Sequence, residues 1–377
     1  MNAMLMKHEQ PAVLSAVMKY ETTNRSRLVV NDAMDVLGGA GICRGPSNIM
    51  GNTYMSIPIA VTVEGANILT RSMIIFGQGL NRAHPHLINI VNTIEKGDDP
   101  EGFMREVRGI VGHALSNVGR SITRAILRPR WKRRSNLLGY YEGQVSRLAA
   151  NFALSCDLGL VLGGKLKVEE MVSGRFADAF GTLYLAYASM WFYQQHRDVQ
   201  GIDTLFELSM ETLLAENQAA LTGLAANFPI QAVGSLMHLL TFPTGEPYQG
   251  PSDRMRKAAA EAISTPTGVR ELLSEGIFIS KNPSDRLNML NAALPEVVKM
   301  DQILASAKKS KRALTVEEEQ LVARVQALVN DIVQVDSFDK LGMEKRFGDE
   351  YVRPALRHTR FVTKEEVAEE EVKAIYP

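Results

Sequence analysis

Chemistry in this chain starts from one carboxylate. Glu64 ends the almost uninterrupted apolar run Ile57-Pro-Ile-Ala-Val-Thr-Val63, Gly65 follows it directly, and a helical pattern lies beyond. An acid delivered by such a segment is expected to lose water. Desolvation raises a carboxyl pKa toward the range where the group takes and returns protons near neutral pH. The alternative for the same residue is a solvated acid near a helix N-terminus, favoured by the helix dipole. Upstream, Asp35-Val-Leu-Gly38-Gly39-Ala-Gly41-Ile42 carries a helical pattern into a glycine turn. Such a turn either caps a helix or, lacking Cβ atoms, lets backbone amides approach a ligand closely.

Other chemistry-bearing groups are sparse. His84-Pro85-His86 sets two imidazoles close together, but the proline between them and the lack of a carboxylate cluster nearby predict a surface loop, so no metal is expected. Arg128-Pro-Arg130-Trp131-Lys132-Arg133-Arg134-Ser135 is the dense basic stretch. It reads as a solvated interhelical loop, or as a contact to anionic lipid headgroups or an acidic neighbouring domain. Tyr184, Tyr187, Trp191, Phe192 and Tyr193 have helical spacing and read as core, while Gly159, Gly163 and Gly164 read as a turn with close packing.

Whole-chain composition narrows the class. The 377 residues carry 42 basic and 42 acidic side chains, so no global field favours nucleic acid. Two cysteines, Cys43 and Cys156, without CxxC or Cys/His spacing, suit a reducing compartment and neither a disulfide framework nor a zinc site. No run of about 18 apolar residues is visible, so no spanning helix is expected and the chain reads as soluble and cytoplasmic.

The elements that must position Glu64 are helices. Apolar residues recur at helical spacing over residues 11–37, 65–76, 100–127, 137–162, 175–196, 202–226 and 315–335. Gly38-Gly39 should end the first helix, and Thr315 should cap the last with Glu318 in capping-box register. The strand signal at Ile57–Val63 is interrupted by Pro58 and has no partner, so an irregular loop is expected there. Phe242-Pro-Thr-Gly-Glu-Pro-Tyr-Gln-Gly-Pro-Ser-Asp253 should form an ordered loop, Lys308-Lys-Ser-Lys-Arg312 a solvated turn, and residues 363–377 a charged tail. The fold class is all-α.

Helix, glycine turn, irregular loop, Glu64-Gly65 and helix, in that order, resemble the C-terminal helical domain of acyl-CoA dehydrogenases. The match extends through Phe76-Gly-Gln-Gly-Leu-Asn-Arg-Ala-His-Pro85, Phe242-Pro-Thr-Gly245 with Tyr248 and Pro251-Ser-Asp253, and Val335-Asp-Ser-Phe338. These are similar to the helical C-terminal extension of the large bacterial fatty-acyl-CoA dehydrogenases. The resemblance implies a partial C-terminal helical domain over residues 1–83 and a helical extension over residues 84–362. It implies FAD as cofactor, fatty acyl-CoA as substrate and an electron-transfer flavoprotein as acceptor. Glu64 would take the α proton while hydride leaves Cβ for the flavin. The Glu64 N–H would help polarise the thioester oxygen, and Gly65 would leave room for substrate. Gly38, Gly39 and Gly41 would let backbone approach FAD, in the family usually that of a neighbouring subunit, so a homo-oligomer is expected. Asp35, Ala66 and Met55-Ser56 depart from the family pattern around the cofactor and leave the base in place. The family's N-terminal and middle domains precede this region, so the chain reads as the C-terminal part of a longer enzyme, completed by those domains or by a second chain and inactive alone. The competing expectation is a non-catalytic helical interaction or membrane-docking module, peripheral at the inner membrane through Arg130, Lys132, Arg133 and Arg134.

Overall fold

The computed structural model describes residues 6–9, 11–43, 45, 47–79, 84–97, 99–127, 131 and 134–334. Among the described residues no strand occurs, and the chain is all-α. Two compact units form, one from residues 1–26 and 58–277, the other from residues 27–57 and 278–377. In chain order the helices begin with α1 (Ala12–Leu37), α2 (Gly39–Ile42), α3 (Gly51–Thr62) and α4 (Asn67–Leu69), which continues as a π-helical stretch over Thr70–Gln78. Next come α5 (Leu87–Lys96), α6 (Pro100–Leu127), α7 (Leu137–Gly159), α8 (Glu170–Gln195) and α9 (Ile202–Ala226). The chain continues through α10 (Gln231–Thr241), α11 (Asp253–Ser264), α12 (Gly268–Ser274), α13 (Arg286–Ser310) and α14 (Val316–Ile332).

The first unit is built on α7, α8 and α9. Leu137, Tyr141, Val145 and Leu148 recur three or four apart on α7, so they share one face and meet Ala179, Leu183 and Ala186 of α8 and Met210 and Leu214 of α9. A second cluster joins Val17 of α1, Ile75 and Phe76 to Phe176, Cys156, Leu224 and Met237. Its centre is the Phe76 ring stacked on Phe176, with centroids 4.0 Å apart. Each fully buried side chain of this size contributes about 1.5–3 kcal/mol. On α8, Gly174 and Gly181 stand where a Cβ would collide with Arg71 and Glu21, so the small residues let two charged side chains lie close against the helix. Gly159 likewise lets the Phe176 ring approach, as close packing predicts.

The Phe242–Ser252 loop is ordered by side chains. Tyr248 exchanges backbone hydrogen bonds of 3.0 Å with the Gln218 amide, and its hydroxyl lies 2.9 Å from Gln144 Oε1. The wholly buried Arg147 guanidinium sits 5.6 and 5.7 Å from the ring centres of Phe242 and Tyr248.

Several expectations change. Residues 57–63 are not an irregular loop: α3 runs through Pro58, which costs it one backbone hydrogen bond. The helix expected from Gly65 starts at Asn67, because Gly65 has φ +85° and Ala66 ψ 142°, neither helical. Residues 137–167 are long and apolar enough by composition to cross a bilayer, yet 61% of the most apolar window is buried inside the protein, as in a core helix. Of the α8 aromatics, Tyr193 is buried, while Tyr187 and Trp191 stay more than half exposed. Lys308 to Ser310 still belong to α13, which stops only at Lys311 in left-handed backbone.

In the second unit, α1 ends as expected: Gly38 takes φ +56° and its N–H donates to Met34 O at 2.9 Å. Helices α13 and α14 are joined by an Arg324–Glu296 ion pair of 2.6 Å and by Arg286, which donates to the carbonyls of Ile332 and Gln334. Thr315 and Glu318 form the expected capping box at the start of α14.

Candidate functional site

Glu64 lies in a two-residue left-handed turn between α3 and α4. Its own φ is +55° and that of Gly65 is +85°. Left-handed backbone is routine for glycine but costs an ordinary L-residue roughly 1–2 kcal/mol. The turn is compelled by α1. The Lys19 ammonium donates to Gly65 O at 2.8 Å and to Asn67 Oδ1 at 2.6 Å, with a longer contact of 3.4 Å to Val61 O. Asn67 Nδ2 donates back to Thr23 Oγ1 and Asn24 Oδ1, both at 2.9 Å. Thr70 Oγ1 donates to the same Gly65 carbonyl at 3.3 Å. The turn is therefore fastened along one face of α1, by Lys19 and by Thr23 and Asn24 four and five residues further on.

The Glu64 side chain is exposed, which corrects the expectation that its apolar approach desolvates it. The reason is that the approach is itself uncovered: α3 buries none of its residues, and Ile59 and Val63 remain about half exposed. Beyond Glu64, Ile68, Leu69 and Met73 are also exposed.

The segment after Glu64 is anchored to α8. Arg71 donates from Nε and Nη2 to the two carboxylate oxygens of Asp178 at 2.7 and 2.6 Å, a bidentate pair, and the Tyr20 hydroxyl donates to Asp178 Oδ1 at 3.2 Å. Burial pushes the Tyr20 hydroxyl pKa upward, with the Asp178 charge adding to it, so it stays a donor. Beside this group, Arg25 bridges Glu21 at 3.3 Å and Glu216 at 2.6 Å. Glu21 lies one helical turn before Arg25, whereas Asp178 and Glu216 are far in sequence from the side chains they pair with.

At the glycine turn of the second unit, a Cβ built on Gly38 or Gly39 would meet nothing within 4 Å. Asn48 holds the following loop, donating to Gly41 O and Cys43 O at 2.7 and 2.9 Å and accepting from the N–H groups of Met50 and Gly51. The turn thus presents open backbone at Gly38 and Gly39.

A second constellation was not anticipated. His84 is buried, so its segment is not the surface loop expected. Its Nε2 lies 3.1 Å from Asp157 Oδ1, and His113 Nδ1 lies 2.9 Å from the same oxygen. Asn117 Nδ2 donates to Asp157 Oδ2 at 2.6 Å. The carboxylate missing from the local sequence is supplied by the last turn of α7. Burial holds the His84 ring below the ordinary histidine pKa, against the pull of Asp157. His86 reaches Glu106 instead, at 2.8 Å, and that hydrogen bond is the main reason the Glu106 carboxyl lies below its ordinary range. His84 and His113 form part of the wall of an otherwise apolar cavity of about 420 Å³ lined by Ile75, Phe76, Phe152, Cys156 and Phe180.

Arg130, Lys132 and Arg133 lie outside the described residues, as do residues 363–377 and Val335-Asp-Ser-Phe338, and of Arg134 the backbone alone is described. Trp131, within that basic stretch, is 84% exposed.

Residues 81–345 match the family described as acyl-CoA dehydrogenase, C-terminal, bacterial type, and the chain belongs to that oxidoreductase family. The match begins after the Glu64 turn, so it covers the helical continuation rather than the glycine turn or the carboxylate. No solved structure matches the chain.

Proposed function

We propose that this chain carries the catalytic-base segment of an FAD-dependent dehydrogenase that converts fatty acyl-CoA to the trans-2-enoyl thioester in β-oxidation. The observation that carries this reading is the left-handed backbone of Glu64, a glutamate held in an unfavourable conformation by the Lys19 clamp. Backbone strain persists where surrounding structure over-determines it, and such positions gather at functional sites. In this reading Glu64 takes the proton from Cα, its N–H is one donor to the thioester oxygen as charge develops there, and Gly65 leaves room for the substrate. The open backbone at Gly38 and Gly39 would hold part of the cofactor. Bound FAD would supply the acceptor for the hydride leaving Cβ, and its electrons would pass on to an electron-transfer flavoprotein.

The exposed Ile59, Val63, Ile68, Leu69 and Met73 flanking Glu64 support a further covering surface, from the family's N-terminal and middle domains or from a second chain in a homo-oligomer. Covering them would remove water from Glu64. The test is Glu64→Gln in the enzyme assembled with those domains. Turnover should fall on the order of 10²–10⁴-fold while FAD stays bound, because the amide keeps the shape and cannot accept the proton. Near-wild-type turnover at saturating acyl-CoA would remove Glu64 from the mechanism.

A second reading, a cytoplasmic module docking peripherally on the inner membrane, is favoured by the exposure of Trp131 inside the basic stretch. Replacing Arg130, Lys132, Arg133 and Arg134 with glutamine should then weaken sedimentation with anionic vesicles, as should added salt. Equal sedimentation of the two proteins would leave the stretch a solvated loop.

A further inference from the structure

We propose that His84, His113 and Asp157 form a binding site for a divalent transition-metal ion of the zinc class. One ring nitrogen from each histidine and one Asp157 oxygen all lie within 4.8 Å of one another, and the nitrogens that face Asp157 Oδ1 are His84 Nε2 and His113 Nδ1. They come from three separate places: the segment entering α5, the middle of α6 and the last turn of α7. Residues so far apart in sequence converge here because α6 and α7 pack against each other, so the site is carried by helices rather than by a loop.

Charge is the second argument. The Asp157 side chain is 1% exposed, and among the described residues its ion-pair partners are these two imidazoles alone. A buried carboxylate is retained when it is paired with a cation or coordinates a metal. Neutral imidazoles supply hydrogen bonds but no full positive charge, whereas a divalent ion supplies it directly. Two imidazoles and a carboxylate are a ligand set suited to zinc, and also to cobalt or nickel.

Geometry is the third. The contacts of 3.1 and 2.9 Å to Asp157 Oδ1 are hydrogen-bond lengths. Ligands held about 2.0–2.2 Å from a tetrahedral zinc lie roughly 3.3–3.5 Å from one another, so each imidazole nitrogen needs to part from Asp157 Oδ1 by only a few tenths of an ångström, with the two nitrogens, already within 4.8 Å of each other, settling into the same range. Asn117 fixes the other carboxylate oxygen, and Arg120 in turn donates to Asn117 Oδ1, an outer shell of the kind that orients metal ligands. Both histidines line the apolar cavity, which leaves space beside the ion for water or an oxygen ligand in a fourth position.

One bond opposes the ion. His84 Nδ1 accepts the His86 N–H at 3.2 Å, so without metal the His84 proton sits on Nε2. On binding, that proton moves to Nδ1 and the contact with the His86 amide is lost. A single neutral hydrogen bond is small beside a set of metal–ligand bonds. The His113 proton that faces Asp157 from Nδ1 moves to Nε2 in the same way, so the ring stays neutral.

The experiment uses the full chain, stripped with chelator and dialysed against Zn²⁺ or Co²⁺. Bound metal is measured by elemental mass spectrometry, and ligand type is read from the visible absorption of the Co²⁺ form. The expected result is one ion per chain, a Co²⁺ spectrum of nitrogen and oxygen ligands, and a higher melting temperature with Zn²⁺. His113→Asn should abolish stoichiometric binding, Asn117→Ala should weaken it about 10–100-fold, and the exposed His238→Asn should leave it unchanged. Failure of the wild-type chain to hold either ion overturns the proposal without any variant. So does binding that survives His113→Asn in a chain whose circular dichroism shows it folded.

Discussion

Replacing Lys19 by methionine removes the ammonium and keeps most of the apolar stem. Two charge-assisted hydrogen bonds are lost, 2.8 Å to Gly65 O and 2.6 Å to Asn67 Oδ1, while the 3.4 Å contact to Val61 O adds little. Bonds to charged groups are worth about 1.5–3 kcal/mol each. The mutant also escapes the cost of holding a half-buried ammonium, so the net loss is set at about 2 kcal/mol. It falls on a turn in which Glu64 already bears left-handed strain, and that strain would drive the turn open. Asn67 keeps its bonds to Thr23 and Asn24, so the opening is local. Two kcal/mol corresponds to about 30-fold faster amide exchange for residues 62–70, against little change in α7, α8 and α9. Native-state hydrogen exchange read by mass spectrometry resolves this. Exchange within twofold of wild type in that segment would refute the clamp, and equal acceleration across the whole first unit would refute its local character.

Three further outcomes follow from the packing and the charges. Phe176→Ala, which empties a wholly buried site and unstacks Phe76, should cost about 3–5 kcal/mol in urea unfolding; a loss below about 1 kcal/mol would mean that the second cluster is not closely packed. Glu21 has its pKa raised chiefly by burial, despite Arg25, so its ionised form is disfavoured in the fold. Its stabilising effect is complete below the ordinary carboxylate range and is lost as pH rises through the raised value. Glu21→Gln should therefore raise the melting temperature at pH 7 and make no difference near pH 3; the opposite pH trend would show that the Arg25 pair outweighs burial. Glu318 is lowered from 4.5 to about 2, mainly by Arg312 and then by the Thr315 N–H, so its contribution is present above 4.5 and lost as pH falls through about 2. An NMR titration should place its midpoint there, and Arg312→Gln should move it upward; an unchanged midpoint in that variant would remove the pair as the cause.

Much of the fold was legible because helices announce themselves locally. The apolar spacing over residues 100–127 and 202–226 corresponds to α6 and α9, Gly38 ends α1 by taking positive φ, and Thr315 with Glu318 caps α14. These signals live within a few residues of one another, where backbone sterics and caps decide the outcome. Short helices of seven to twelve residues escaped notice, α5 and α10 to α12 among them, as did α13, which contains Pro295. Pro58 misled for the same reason, since a helix tolerates one lost hydrogen bond when its neighbours hold.

The order of glycine turn and Glu64-Gly65, and the family it implied, were likewise present in the sequence. The surroundings of Glu64 were not. Whether its apolar approach becomes buried depends on what packs against α3, and tertiary structure left that helix uncovered. Lys19 meets Gly65 and Asn67, Arg71 meets Asp178, and His84 meets Asp157 only because helices distant in sequence lie side by side. Local pattern determines which residues become helical; it carries no information about which helix a charged side chain will face. Glu64 and His84 were therefore nameable from the sequence one at a time, whereas His113 and Asp157 gained their place only through packing.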